Sequence, residues 1–123
     1  MKKPSKKSQI KKVDDLWSLL VKAKAKNRCE VCGKQSPLNS HHIFSRSNKS
    51  VRWNDNNGVC LCVGHHVFGN FSAHKAPADF IEWIKEVRGE EWYKELRKKA
   101  NTPGFPNLIT VREYLEIELK KYE

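Results

Sequence analysis

Every cysteine and every histidine of this chain lies between Cys29 and His74. The cysteines are 29, 32, 60 and 62, and the histidines are 41, 42, 65, 66 and 74. Thiols and imidazoles gathered into just over a third of a chain are most simply explained by a metal ion that holds them together. The alternative use of cysteine, a disulfide framework, belongs to exported proteins. Here the basic start, MKKPSKK, is followed by no apolar h-region, so export is not expected and the setting is read as cytoplasmic. No stretch approaches the roughly 18 apolar residues of a membrane helix, so no membrane partner is expected.

The spacing inside the window is specific. Cys29 and Cys32 flank two residues and are followed by Gly33. A two-residue spacer lets a tight turn aim both thiolates at one ion, and the glycine permits the turn. Cys62 and His65 repeat the spacer. The two knuckles together predict a Cys3His zinc site that staples the start of the window to its later half. Cys60 lies two residues before Cys62 on a period-two strand, shares its face, and reads as a core thiol.

Four histidines remain. Extended, His41 and His42 point in different directions, which suits one to a metal and the other to a water molecule. If His65 and His66 begin a helix they lie about 100° apart, so one can face the staple and the other a second ion.

The remainder bounds the fold and the partner. The chain has 123 residues, one domain's worth, and carries 24 Lys+Arg against 14 Asp+Glu, a formal net charge of +10. Residues 1–28 hold ten basic and two acidic residues, whereas 76–123 are nearly balanced. Such asymmetry is the footprint of a polyanion binder, most often of nucleic acid. Residues 1–12 read as a disordered basic arm, and the spacing of Leu16, Leu19, Leu20 and Ala23 predicts a helix over 14–26. A short strand is expected at 42–44, a second at 59–63 after the Asn57-Gly58 turn, and a short helix from about 64. Pro77 opens a helix that Gly89 stops. Two further helices are expected over 90–100 and 110–122, the last capped by Thr110 with Glu113.

Asn39-Ser-His41-His42-Ile43, then Asn57-Gly-Val-Cys-Leu-Cys62, then His65-His66 resembles the HNH endonuclease motif of the His-Me finger (ββα-metal) superfamily. The flanking LWSLLVKAK and HKAPADFIEW are similar to small phage-type members, including the NinG/Rap recombination nucleases. The resemblance implies an α+β, mostly helical chain with a ββα-metal core, a Cys3His staple, an N-terminal helix and C-terminal helices. Residues 13–123 would be a single nuclease domain with its motif core at 29–76. The implied activity is metal-dependent hydrolysis of DNA to 5′-phosphate and 3′-hydroxyl ends, by nicking, in phage DNA packaging or recombination. Other phage DNA-processing proteins are possible partners, and the host cytoplasm is the implied location if the chain is phage-encoded.

The resemblance also implies roles. His42 would be the general base. His41, His66 and a third ligand would hold a catalytic divalent metal (magnesium, manganese, nickel or zinc). Asn57 would fix the loop bearing His42. Two departures stand out: His65 replaces a usual cysteine, and the position four residues after His66 is Asn70. His74 is eight residues on, about 12 Å along a straight helix, so it serves only if the chain breaks near 69–72 and loops back. His74 is the favoured third ligand and Asn70 the alternative. Arg46, Lys49 and Arg52 are candidate phosphate contacts, and the plainer reading of each is a solvated loop charge. The competing functional reading is a zinc-stapled DNA-binding module without catalysis.

Overall fold

A computed structural model describes residues 4–69 and 72–123. It is a small α+β structure, close to half helical, with one antiparallel pair of strands. Helix α1 spans Lys6–Lys24 and buries Val13, Leu16, Trp17, Leu20 and Val21. The Ser5 hydroxyl accepts the Ser8 amide at 3.1 Å and caps it. The helix therefore starts well before the expected residue 14, and a disordered arm over 1–12 is corrected: residues 6–12 are helical, and 1–3 lie outside the described residues. The physical reason is Ile10. It continues the Val13–Trp17–Leu20 stripe and packs on the same cluster, while the lysines around it are good helix formers on the solvent side.

Lys26 and Asn27 take left-handed φ of 57° and 55° and turn the chain out of α1 toward Cys29. Strand β1 is Leu38–His42, ending where the sequence suggested a strand would begin, and β2 is Gly58–Cys62. They pair with Ser40 opposite Cys60, His41 opposite Val59 and His42 opposite Gly58. A short 3-10 turn, Asp55–Asn57, leads into β2, and one π-type turn, Gly64–Phe68, follows it. Helices α2 (Pro77–Arg88), α3 (Glu90–Ala100) and α4 (Leu108–Lys120) complete the chain. The expected Thr110 cap is displaced: Asn107 Oδ1 accepts the amides of Ile109 and Thr110 at 3.0 and 3.1 Å, so α4 begins earlier. No helix among the described residues is long and apolar enough to cross a membrane.

Every residue of β2 is buried, and its alternation divides the core. Cys60 faces α1 and packs with Leu16, Trp17, Leu20 and Leu115 of α4. Val59 and Leu61 face the other way, onto Phe80 and Ile84 of α2. A smaller cluster of Val51, Leu96 and Ala100 anchors the long β1–β2 connection to α3. The α1 side is close-packed at Gly58, where an added Cβ would overlap Val21 Cγ2 and sit 2.9 Å from Trp17 Cζ2. Gly58→Ala is therefore expected to cost about 1–3 kcal/mol of stability, read as a lower urea midpoint with unchanged slope. An unchanged midpoint would show that α1 can lift away without loss.

Candidate functional site

The two knuckles meet. The ligand atoms of Cys29, Cys32, Cys62 and His65 all lie within 4.8 Å of one another. Cys29 Sγ is 3.8 Å and Cys62 Sγ 3.2 Å from His65 Nδ1, and Cys32 Sγ is 3.8 Å from Cys62 Sγ. A tetrahedron of three sulfurs and one nitrogen, with Zn–S near 2.3 Å and Zn–N near 2.1 Å, has edges of about 3.6–3.8 Å. Donor set and spacing thus fit a structural metal such as zinc. Gly33, at φ 78°, closes the first knuckle, and its amide donates to the Cys29 carbonyl at 2.8 Å. Glu30 anchors that knuckle to β2: its amide donates to the Cys60 carbonyl at 2.9 Å, and its carboxylate accepts the Cys60 amide at 2.7 Å. Arg88 of α2 reaches the same carboxylate at 2.8 Å. Cys60 itself is fully buried among apolar side chains and outside the cluster. Burial, with Glu30 and Cys29 nearby, pushes its thiol up to about 11.

A second group of ligand atoms gathers where β1 faces α2. His41, His66 and His74 also present nitrogens within 4.8 Å of one another. The Nε2 atoms of His66 and His74 are 3.0 Å apart, and the His41 ring centre lies 5.1 Å from each of the other two rings. His41 faces α2, edge-on to Phe80. His74 arrives because the chain doubles back after the π-type turn. The Ala73 amide donates to the His65 carbonyl at 2.8 Å, the His74 amide to the His66 carbonyl at 3.1 Å, and the Ser72 hydroxyl to the Val67 carbonyl at 3.1 Å. Asn70, the alternative third ligand, lies outside the described residues. Burial, then the charges of His66, His74 and His42, pushes His41 down to about 3. Burial, then His74, lowers His66 too. Both rings are unprotonated at neutral pH and offer lone pairs.

His42 faces the opposite side of the strand, toward α1. Its ring lies 3.9 Å above Trp17, 8° from parallel. Its Nε2 is 3.0 Å from the Arg52 carbonyl. A carbonyl only accepts, so Nε2 carries the hydrogen and Nδ1 keeps the lone pair. Burial lowers the His42 pKa, so the lone pair is free at neutral pH. All four histidines nevertheless line one groove of about 590 Å³, together with Ser45 and Arg46 and the apolar Pro77, Phe80 and Ile81.

The connection between the strands is held from within. Buried Asn57 accepts the Phe44 amide at 2.7 Å and donates to the carbonyls of Phe44 and Val51 at 2.9 and 3.1 Å. The three cations expected on this connection separate. Arg46 is an exposed cation at the groove, its side chain 68% accessible and 3.9 Å from Asp14. Lys49 is half-buried on the same connection and does not border the groove. Arg52 is turned inward, away from solvent. Its side chain is 7% accessible and forms a two-pronged bond to Asp14 at 3.1 and 2.7 Å. Asp14 also accepts the Trp53 indole N–H at 2.8 Å. Trp17, Ser40 and Ser45 border or support the site without having been singled out in the sequence. Trp17 there looks like any member of an apolar helical stripe.

No family model, curated protein or solved structure matches the chain.

The Cys3His cluster carries a direct expectation. The purified protein should hold one zinc per chain, and a strong chelator should remove zinc and folded structure together. Cys32→Ser should melt well below the parent. Zinc-free protein that melts like the parent would sink this reading.

Proposed function

We propose that the chain is a metal-dependent DNA endonuclease of the HNH type, built on a ββα-metal core and leaving 5′-phosphate and 3′-hydroxyl ends. One observation carries this reading. Three imidazoles converge where β1 faces α2, and the adjacent His42, whose Nε2 is engaged by the Arg52 carbonyl, lines the same groove. That is a cation-binding group beside a general base, the pairing that phosphodiester hydrolysis needs. The net charge of +10 and the exposed Arg46 at the groove fit a polyanionic substrate.

In this mechanism Arg46 draws a phosphate of the backbone to the groove. His42 Nδ1 takes a proton from a water molecule, whose oxygen attacks phosphorus. The bond from phosphorus to the 3′-oxygen breaks, and that oxygen leaves as the hydroxyl once protonated by solvent. The neutral His42 ring suits this task, because a general base must be unprotonated before turnover. His41, His66 and His74 would hold a divalent ion, and it would supply Lewis-acid stabilisation of the developing charge. Asn57 holds the connection that carries the Arg52 carbonyl. Three imidazoles and no carboxylate form a donor set suited to nickel or zinc more than to magnesium.

The test is nicking of supercoiled plasmid by zinc-loaded protein against added metal. Nickel is expected to support cleavage at lower concentration than magnesium. His42→Ala should keep metal affinity and lose about 10²–10⁴-fold in turnover. His41→Ala should weaken metal binding and regain activity at high metal concentration. Salt-sensitive DNA retention with no cutting under any metal would instead make the chain a binding module.

A further inference from the structure

We propose that Asp14 and Trp17 of α1 are positioning residues for the His42 imidazole, fixing which ring nitrogen carries the hydrogen and holding the other toward the groove. The proposal rests on the reading of His42 as the general base, and it adds residues from a helix outside the strand-and-turn core.

An imidazole that accepts a proton must present the correct nitrogen in the correct direction. Two contacts restrain His42. The Arg52 carbonyl takes its Nε2 hydrogen at 3.0 Å, which sets the rotation of the ring within its plane. The Trp17 indole lies 3.9 Å below and 8° from parallel, which sets the plane itself. Neither restraint is better than the group that supplies it, and α1 holds both. Asp14 grips Arg52 through Nε and Nη2 at 3.1 and 2.7 Å, a two-pronged arrangement that fixes orientation as well as distance. The same carboxylate takes the Trp53 indole N–H at 2.8 Å. Trp17 donates its own N–H to the Asn54 carbonyl at 2.8 Å. One face of α1 therefore holds three consecutive residues, 52–54, whose first carbonyl orients His42.

Packing alone does not call for this arrangement. A largely buried carboxylate–guanidinium pair contributes little net stability compared with apolar side chains of similar volume. Burial works against the Asp14 charge, yet the bonds from Arg52 and Trp53 hold its carboxyl below the ordinary value. An ionised Asp14 gives Arg52 one geometry. The indole face adds a flat floor that an aliphatic side chain of the same stripe would lack.

The test uses the full chain with its zinc in place. Long-range proton–nitrogen spectra of the imidazoles at fixed neutral pH report which nitrogen of His42 is protonated. Nicking kinetics at saturating metal report turnover. In the parent, His42 should show a single form with hydrogen on Nε2. In Asp14→Asn and Trp17→Leu the two forms should mix, and kcat should fall about 10- to 100-fold with KM and metal affinity unchanged. Trp17→Phe, which keeps a flat face, should retain most of the turnover and the single form. Zinc content and melting temperature identify folded variants.

Variants that melt lower yet keep one His42 form and parental kcat would make α1 a structural support only and overturn the proposal. A parent spectrum with hydrogen on Nδ1, or with mixed forms, would overturn it without any variant. The nitrogen spectra need no cleavage, so a parent that holds His42 in the Nε2–H form and does not cut DNA would count against the nuclease reading while supporting the restraint. A parent that cuts DNA with variants of equal kcat would do the reverse.

Discussion

Successive residues on a strand point to opposite faces, and in this protein that constraint acts on two adjacent histidines. The pairing of His41 with Val59 and His42 with Gly58 sends one imidazole toward α2 and the next toward α1. A slip of one residue would exchange them. A slip of β2 instead would move Cys60 out of the α1 core and Val59 and Leu61 out of the α2 core. The apolar alternation of β2 therefore protects the register of the site. Fully buried β2, with Gly58 pressed against Trp17 and Val21, leaves no room for a second pairing.

The rest of the arrangement depends on cross-links more than on a large core. Apolar burial is divided among three clusters, none of them large. A chain of this size has little reserve of burial, so local ties matter. The Cys3His cluster joins the knuckle at 29–32 to the end of β2 and the turn after it. His65 belongs to that cluster and His66, its neighbour, to the imidazole group, so the π-type turn is shared. The carbonyls of the same two residues bind residues 73 and 74. Placement of His74 thus follows from a turn whose other side holds the cysteines.

Charge is arranged by the same economy. Arg52 and Arg46 are close in sequence and equal in formal charge, yet one is buried on Asp14 and the other is exposed at the groove. Asp14 could not be told from an ordinary acid near a helix start until α1 was seen to run past it. With the helix beginning at Lys6, Asp14 lies mid-helix and faces the 52–54 segment.

Much of the metal chemistry was legible in the chain itself. The two-residue spacers of Cys29–Cys32 and Cys62–His65 allow few other uses, because each forces two ligand atoms toward one point over a turn too short to separate them. The period of β2 placed Cys60 in the core, and Pro77 and Gly89 bounded α2. Local rules of this kind act over a few residues, and there sequence suffices. Tertiary structure alone decided three things. Ile10 joined its stripe only because the cluster that α1 forms with Trp53, Cys60 and Leu115 lies there to receive it, which turned most of an expected arm into helix. Arg52 left the surface only because Asp14, 38 positions earlier, meets it. Trp17 became the floor under His42 only because α1 crosses the α1-facing side of β1. Each is a contact between residues distant in sequence, and such contacts have no period or spacing by which a chain could announce them.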